Sequence, residues 1–379
     1  MDKIIKQNKV RNSSIELLRI IAMIIIIMHH FGIHGVFHML DKSYNILIVD
    51  NLSWQIIFTQ IISWGGRMGN TIFILITGYF LINKKINKKK ILLLFISMML
   101  YSWIIEIIYF YGLDMPYSIK MIISETIPIY FGYNWFISCY IIFSFFIPFI
   151  NKFLNNIDKY QYVSFLVLTF VLYSILPSFK FNTFMDSSLI FFGFVYSIGG
   201  YLRLHFYEQI KETYNGKYLK LFLVQVGIIV VSIIFFDMMA ILFSKNILIK
   251  LSIPFINILS IPMAITLFLY FLTRKPIYNR FINIIASSIL GIYLIHENNL
   301  MRNLIWDYIF PNLEYINSDF YILFFVIKVS LIFIICSFIE LLRKKYLESV
   351  VSKLLDKYWD SYSNKINIIF KTIIFKLIR

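Results

Sequence analysis

Cysteine, acidic side chains and charge of either sign are scarce in this sequence. Its 379 residues include 2 cysteines, 20 aspartates and glutamates against 36 lysines and arginines, and 15% charged positions in all. An ordinary globular domain is about 25% charged. Cys139 and Cys336 both lie within apolar segments, which excludes a disulfide framework and a cysteine-based metal site. Both are predicted to be small buried hydrophobic residues.

Apolar side chains take the place of the missing charge. They make up 59% of the chain, and the mean hydropathy is +0.76. A water-soluble core cannot hide so much apolar surface, so lipid must be the solvent for much of it. The net charge of +16 would otherwise suggest nucleic acid as a partner. The basic residues lie in short runs between apolar segments, as in the cytoplasmic loops of membrane proteins, so no nucleic acid is expected.

Long apolar runs predict membrane-spanning helices, each of which needs about 20 residues. The sequence therefore predicts an all-α, polytopic membrane helix bundle of about ten spans in the lipid bilayer. They are placed at 17–36, 66–82, 91–110, 133–150, 160–177, 188–204, 218–237, 251–272, 282–300 and 320–342.

The distribution of basic residues predicts the orientation of the bundle. Lysines and arginines are concentrated in the loop 84–90, around Arg274, and from Arg343 onwards, whereas the alternate loops are relatively acidic. Basic loops resist translocation across the membrane. These loops and both termini are therefore predicted to be cytoplasmic.

The residues after the last span form a separate region in this prediction. Residues 1–345 are assigned to a membrane domain and residues 346–379 to a basic cytoplasmic tail. In the tail, apolar and aromatic side chains recur at helical spacing with lysines between them. That pattern is typical of an amphipathic helix on the inner leaflet, and packing against a cytoplasmic partner is the alternative.

The first span carries an arginine and a histidine on one face. Arg19 and His30 are eleven positions apart, which is about three turns plus 20°, or about 16 Å along the axis. A histidine at that depth is costly and is a functional-site hypothesis; the alternative is that His30 caps a short helix in water. His29 points elsewhere and is predicted to be structural. His34 lies one turn beyond His30, either on the same face or in an external loop.

Four stretches of the sequence form a recognisable series. In the first span, a Glu-Leu-Leu-Arg run is followed by a histidine eleven positions after the arginine. The other stretches are 70–81 (NTIFILITGYFL) with a basic loop after it, 134–148 (NWFISCYIIFSFFIP) and 287–297 (SSILGIYLIHE). Together, and in this order, they resemble the type 3 acyltransferase family of bacterial membrane proteins. The resemblance covers residues 14–345.

The resemblance implies transfer of an acyl group, usually acetyl from cytoplasmic acetyl-CoA, to a sugar hydroxyl. The acceptor would be a surface glycan or its lipid-linked precursor, and the location the bacterial cytoplasmic membrane. The family's essential arginine and histidine fall on Arg19 and His30. Neutral imidazole can act near pH 7 as the base that takes the hydroxyl proton, or as the nucleophile that carries the acyl group. No metal is expected.

The loop after the second span is the predicted binding site for the acetyl-CoA phosphates, because basic side chains attract phosphate. The narrow pantetheine arm would pass between helices towards His30. Setting the topology is the alternative role of these lysines. The lysines concerned are Lys84, Lys85, Lys88 and Lys89.

Polar and aromatic residues of three other spans are candidates for acceptor binding. Glu106 would orient a histidine or bind a sugar, and solvation at the interface is the alternative. His296 and Glu297 would line the acceptor pocket, or pair the helix end with loop groups. Trp135 and Tyr140 would stack on a sugar ring, or serve as interfacial anchors.

Other interpretations of the sequence stay open. Lys328 in the last span is expected to pair with a carboxylate such as Glu297 or Glu106, in a structural role. A transporter or exporter of a glycan or acylated intermediate is the alternative function, and a scaffold for glycan assembly is a third. Neither has an evident need for Arg19 and His30 on one helix face.

Overall fold

A computed structural model describes residues 12–37, 49–113, 115, 118–179, 188–206 and 216–359. Every regular element within these ranges is a helix, and most of the helices are long and apolar. The prediction of an all-α, polytopic membrane protein is thereby confirmed. Residues 1–11 and the last part of the predicted tail, 360–379, lie outside the described residues.

The helices are numbered here in chain order. The longer ones are α1 (Ser13–Gly32), α3 (Gly66–Leu81), α4 (Lys88–Ile107), α7 (Trp135–Asn156), α8 (Lys159–Phe170), α10 (Ser188–Tyr201), α11 (Lys217–Phe243), α12 (Ser252–Thr273) and α16 (Tyr321–Arg343). The shorter ones are α2 (Trp54–Ser63), α5 (Ile119–Thr126), α6 (Pro128–Phe131), α9 (Leu176–Ser178), α13 (Arg280–Ser287), α14 (Ile289–His296) and α15 (Asn299–Asn303). Wider, π-helical turns extend several of them, at Ile33–Phe37, Ile108–Gly112, Val171–Ile175, Leu202–Phe206, Leu304–Ile309 and Lys344–Glu348.

The number of candidate spans is lower than the ten predicted from the sequence. Within the described ranges, 8 helices with their extensions are long and apolar enough to cross a membrane, or up to 9 with one bent pair. The remaining difference is α3, which corresponds to the predicted span 66–82. It has 16 residues, fewer than the roughly 20 that cross the hydrocarbon core of a bilayer.

The predicted span 282–300 is not a continuous helix. The axis turns by 79° between Arg280–His296 and Asn299–Tyr315. The second helix begins at Asn298, whose side chain accepts hydrogen bonds from the backbone N–H groups of Leu300 and Met301 at 3.0 and 3.3 Å. An asparagine in this capping position starts a new helix. Glu297 consequently lies in the break between two helices.

Glycines bring α3 into backbone contact with its neighbours. Gly69 lies against a backbone carbonyl of α1, Gly78 lies against the backbone of α10, and Gly199 of α10 lies against the backbone of α3. A Cβ atom at any of these positions would overlap the facing chain, which is why small residues allow membrane helices to pack closely. Gly66, at the start of α3, contacts His29 near the end of α1, so α1 and α3 run in opposite directions.

The bundle has two chemically different ends. α1 begins at one end and carries His30 towards the other, which also holds His296 and is called the histidine end below. α3 returns to the first end, where Lys84, Lys85 and Lys88 follow it. That end is called the basic end below.

Both ends of the described chain lie at the basic end. The backbone N–H of Ser13 donates to the carbonyl of Ile277 at 2.8 Å, beside the start of α13, and Lys89 pairs with Asp356 at 2.8 Å. The helix that begins as α16 continues to Trp359, so the predicted domain boundary at residue 345 falls within a helix. The cytoplasmic location of this end and the placement of the tail on the inner leaflet stay predictions.

Candidate active site

Three histidines and one glutamate meet at the histidine end and are called the histidine cluster below. His30 Nδ1 lies 3.0 Å from His296 Nε2 and 3.1 Å from Glu297 Oε2, and His34 Nε2 lies 3.7 Å from the same carboxylate oxygen. His30, His296 and Glu297 are 8%, 0% and 5% exposed. The break after α14 therefore brings two buried polar side chains against the end of the first helix.

Helix geometry explains how His30 and His34 both reach this cluster. After Gly32 the chain continues as the π-helical turn Ile33–Phe37, and the rings of His30 and His34 lie 5.0 Å apart. Gly32 packs against Ser63 of α2, where a larger side chain would overlap. The sequence left two alternatives open, namely that His30 caps a short helix in water and that His34 lies in an external loop. Neither alternative matches a buried His30 and a His34 within a π-helical turn.

The hydrogen bonds of His296 determine which nitrogen of His30 is available. His296 Nδ1 lies 2.6 Å from the carbonyl oxygen of Ile292, which can only accept, so this nitrogen carries a proton. The Nε2 of a neutral His296 then accepts, and His30 Nδ1 must donate across the 3.0 Å contact. Neutral His30 consequently has its lone pair on Nε2. A base or nucleophile needs such a lone pair.

Glu297 supplies negative charge to the cluster and is itself held from the other side. Its Oε2 faces His30 and His34, while its Oε1 lies 3.7 Å from Arg302. Arg302 is fixed by a 3.0 Å hydrogen bond to Asn299. The carboxylate can stabilise a positive charge that develops on His30. Sequence reasoning assigns Arg302 no part in the site, although it closely follows the His-Glu pair in the chain.

A second buried carboxylate adjoins the break between α14 and α15. Glu125, on α5, is 1% exposed and accepts a hydrogen bond from Asn298 Nδ2 at 3.2 Å. Burial away from water raises the pKa of this carboxyl to about 7. Glu106 instead accepts a hydrogen bond from Thr126 at 3.2 Å. The carboxylate beside the cluster is thus Glu125, which the sequence analysis does not single out, whereas Glu106 pairs with a threonine and not with a histidine.

The two aromatic residues predicted to bind the acceptor have different surroundings. Trp135 begins α7 at the histidine end and is 38% exposed; the next residue, Phe136, donates its N–H to the Tyr293 hydroxyl at 3.3 Å. Tyr140, farther along α7, contacts Thr77 and lies within electrostatic range of Arg19. Trp135 therefore lies near the histidine cluster, and Tyr140 belongs to the surroundings of Arg19.

Arg19 lies on the same helix as His30, about 16 Å away along the axis. Its NH1 pairs with Glu16 Oε2 at 2.9 Å, and its side chain is 30% exposed. Lys344, after α16, lies within electrostatic range of the guanidinium. Arg19 is therefore a half-exposed cation at the basic end and makes no direct contact with the histidine cluster.

The basic end also contains a buried ion pair that the sequence analysis does not find. Glu340 is 0% exposed and accepts from the Tyr101 hydroxyl at 2.6 Å and from Arg343 at 2.7 and 3.0 Å. Arg343 also donates to Glu348 at 2.7 Å. Gly291 packs directly against the Glu340 side chain. Both oxygens of the buried carboxylate are paired, which is typical of a structural network.

A cavity of about 990 Å³ opens at the basic end between α4 and α7. Lys84, Lys85 and Lys88 line it where the basic loop enters, and Trp359 also contributes to its wall. Apolar side chains form most of the remaining lining: Ile82, Ile86, Ile91, Leu92, Phe95, Ile129, Ile141, Phe145 and Pro148. Lys89, the fourth lysine predicted to bind the donor, instead pairs with Asp356 at 2.8 Å and lies 5.5 Å from the Trp359 ring centre.

Lys328 does not pair with either carboxylate predicted from the sequence. Its Nζ donates to Asn312 Oδ1 at 2.8 Å and lies 4.7 Å from the centre of the Tyr315 ring. Asn312 in turn donates to the carbonyl of Phe31 at 3.3 Å. Lys328 thus supports the backbone of the first helix directly beside His30.

A buried imidazole with an available nitrogen, flanked by a carboxylate inside a membrane helix bundle, is an arrangement suited to group transfer. The sequence profile of the acyltransferase domain family matches residues 12–341, and the chain belongs to this family. The resemblance inferred from the four stretches is thereby confirmed, and the protein is a multi-pass membrane acyltransferase. No curated protein and no solved structure gave a match.

Proposed function

We propose that this protein transfers an acyl group, acetyl in the simplest case, from cytoplasmic acetyl-CoA to a hydroxyl of a cell-surface polysaccharide or its lipid-linked precursor. The location would be the bacterial cytoplasmic membrane. The observation that carries the proposal is the state of His30, which is buried and held by His296 with the lone pair on Nε2. Membership of the acyltransferase family supplies the reaction class.

In the proposed reaction His30 Nε2 takes the proton of the acceptor hydroxyl while the hydroxyl oxygen attacks the thioester carbonyl. A carbon–oxygen bond forms, the carbon–sulfur bond breaks, and the thiolate of CoA leaves. The proton on Nε2 then passes to the thiolate. Glu297, 3.1 Å from Nδ1, stabilises the positive imidazolium between these steps. An acyl-imidazole intermediate would use the same lone pair and give the same products.

The cavity between α4 and α7 is the proposed donor site. Its mouth carries Lys84, Lys85 and Lys88, which suit the phosphates of acetyl-CoA, and its apolar walls suit a long uncharged arm. From Asn151 to Ile141 it follows α7 over ten residues, about 15 Å into the bundle from the basic end. In this proposal the phosphates stay at the basic end while the thioester travels inwards.

The acceptor would bind at the histidine end. Trp135 presents an exposed ring, and Glu125 provides a buried carboxylate next to the break that holds Glu297. An aromatic face together with a few fixed polar groups suits a sugar, which has apolar faces and hydroxyl edges. The proposal therefore separates donor and acceptor between opposite ends of one bundle, with His30 on the acceptor side.

The broken helix favours one other candidate function. Transporters build their binding sites from discontinuous helices within the membrane, and the 79° break at Glu297 is such a discontinuity. A transporter would move a glycan or acylated intermediate without forming an ester. The two functions differ in what His30 does, because only acyl transfer needs its Nε2.

The first test is replacement of His30. In membranes supplied with labelled acetyl-CoA and the surface glycan, His30→Ala is expected to lower ester formation by about 10²–10⁴-fold, the usual contribution of a positioned acid–base group. His29→Ala is the matched control, because His29 is bonded to the Ser63 carbonyl and lies outside the cluster. It should lose far less activity at equal expression.

Glycan export in the same variants separates the two functions. Acyl transfer predicts unmodified glycan at the cell surface of the His30→Ala strain. Full esterification by a well-expressed His30→Ala protein would contradict the proposed role of His30. Loss of surface glycan itself, with no ester formed by wild type in vitro, would favour transport.

A further inference from the structure

The histidine cluster contains more donor atoms than the proposed reaction uses. His34 has no part in that reaction, yet its Nε2 faces Glu297 Oε2. One potential ligand atom each from His30, His34 and Glu297 lie within 4.8 Å of one another. The Nε2 of His296 adds a fourth, 3.0 Å from His30 Nδ1.

The spacing of these atoms is close to that of ligands around a small metal ion. A tetrahedral zinc ion with bonds of about 2.0 Å holds its ligand atoms about 3.3 Å apart. The contacts of His30 Nδ1 with His296 and Glu297 are 3.0 and 3.1 Å, and that of His34 with Glu297 is 3.7 Å. His30, His34 and Glu297 thus have nearly the spacing of three ligands, and a shift of His296 towards His34 and Glu297 would complete a four-ligand shell.

The surroundings of the cluster orient two of these ligands. His296 Nδ1 donates to the Ile292 carbonyl, which leaves Nε2 as the lone-pair nitrogen; metal-bound histidines are commonly fixed in this way. Arg302 lies against Glu297 Oε1. The other oxygen, Oε2, is buried and makes no well-aligned hydrogen bond within the described residues. A buried carboxylate oxygen that lies 3.1 and 3.7 Å from two imidazole nitrogens, yet has no well-aligned hydrogen bond, points to a cation.

We propose that His30, His34, His296 and Glu297 bind one zinc ion through three imidazole nitrogens and one carboxylate oxygen. Zinc readily accepts this donor set, whereas magnesium and calcium prefer oxygen ligands. The proposal departs from the sequence analysis, which expects no metal. The side chain of His34 is 15% exposed, whereas His296 is 0% exposed. An incoming ion therefore reaches His34 more readily than His296.

A bound zinc ion would switch the acyltransferase off, an effect that rests on the proposed function. Coordination through His30 Nδ1 requires that nitrogen to lose its proton. The remaining proton of the neutral ring then lies on Nε2, where the acceptor hydroxyl must be deprotonated. The metal and the reaction therefore need opposite tautomers of one imidazole, and the ion acts as a reversible inhibitor.

Metal binding can be tested without any activity assay. Purified protein in detergent is titrated with Co²⁺, whose visible absorption reports tetrahedral coordination, and Zn²⁺ is then used to displace it. Wild type should bind one ion per chain. His34→Ala, and His34→Gln as a second variant, remove a direct ligand and should weaken zinc binding by at least the roughly 10–100-fold that loss of an outer-shell partner costs, with His29→Ala as the matched control. Absence of a tetrahedral cobalt spectrum, or equal zinc affinity in wild type and both folded His34 variants, would overturn the site.

Inhibition is measured in a separate assay, in which formation of labelled acyl ester is followed at increasing Zn²⁺ concentration while the total thiol concentration is held fixed. The His34 variants, each compared with its own rate without zinc, should need at least about 10-fold more zinc for half-inhibition. Zinc that binds wild type but leaves transfer unchanged would overturn the inhibitory role. Zinc binding by a protein that transfers no acyl group to any acceptor would contradict the proposed function and leave the metal site standing.

Discussion

The two ends of the bundle place carboxylates in apolar surroundings, but only one end pairs them completely. At the basic end, Glu340 has both oxygens occupied by Tyr101 and Arg343, at 2.6 to 3.0 Å. At the histidine end, Glu297 Oε2 lacks a well-aligned hydrogen bond and Arg302 approaches only to 3.7 Å. A fully satisfied network stabilises a fold, whereas a partly satisfied one retains capacity to bind or react. The comparison teaches that burial alone does not identify a reactive group.

The largest expected effects come from replacing each of these two carboxylates in turn. Glu340→Ala leaves Arg343 buried without its main partner, which should cost about 3–5 kcal/mol of stability. Glu297→Gln keeps the shape of the side chain and should destabilise the fold less than Glu340→Ala, because its partner Arg302 is partly exposed and lies 3.7 Å away. It should nevertheless lower acyl transfer at least about 10-fold, because the charge that stabilises the His30 imidazolium is lost.

Thermal unfolding in detergent and ester formation in membranes measure the two effects. The comparison between the ends fails if Glu340→Ala unfolds like wild type, or if Glu297→Gln transfers acyl groups at the wild-type rate.

Glu125 sharpens the comparison through pH. Its pKa of about 7 in the folded protein lies above the ordinary 4.5, so the folded state holds the proton more tightly. Stability contributed by this group is complete below about pH 4.5, falls as the pH rises towards 7 and is level above it. The loss is at most about 3 kcal/mol. Unfolding at pH 5 and pH 8 should show this loss in wild type and a smaller one in Glu125→Gln. Equal losses would mean that another group titrates.

Arg19→Lys tests the basic end. Lysine keeps the positive charge that favours a cytoplasmic location but cannot reproduce the planar fork of a guanidinium. We expect the variant to fold, with the KM for acetyl-CoA raised about 10-fold and kcat changed less. Transfer from labelled donor at increasing concentration measures this. A wild-type KM would mean that Arg19 sets topology and that the lysine-lined cavity binds the donor phosphates without it.

The smallest effect is expected in the basic loop. Replacing Lys84, Lys85 and Lys88 together with glutamine should raise the KM for acetyl-CoA a few-fold, since each exposed charge contributes about 0.2–1 kcal/mol. The salt dependence of the KM should weaken as well. Lys89→Gln is the matched control, because Lys89 faces Asp356 and Trp359. A larger change of the KM in the control than in the triple variant would contradict donor binding in this cavity.

Much of the fold follows from local pattern, and much of the site does not. Apolar runs of sufficient length predict the helices, and the spacing of Arg19 and His30 places them on one helix. The contact partners of the site residues cannot be predicted in this way, because they are far apart in the sequence. His30 contacts His296 across 266 positions, and Tyr101 contacts Glu340 across 239. No local pattern indicates such contacts. Glu125 and Glu340 are missed for this reason, since each looks like a charge at the edge of a span.

The break after α14 is the one site feature with a local indication that hydropathy misses. Asn298 and Asn299 follow the His-Glu pair, and asparagine is a favoured helix cap. Hydropathy averaged over the apolar run 282–300 hides these capping residues. The same averaging makes α3 look long enough to be an ordinary span, although Gly66 begins it and it has 16 residues.

The break has a further consequence that concerns the peptide backbone. An unbroken helix exposes its free N–H and C=O groups only near its two ends, at the membrane surfaces. Here one helix ends at His296 and another starts just after Glu297, at buried positions of the histidine end. The first presents the negative end of its dipole to this break and the second presents the positive end. Main-chain dipoles of opposite sign thus flank an imidazole and a carboxylate, and they add to the field of the ionisable side chains at this buried position.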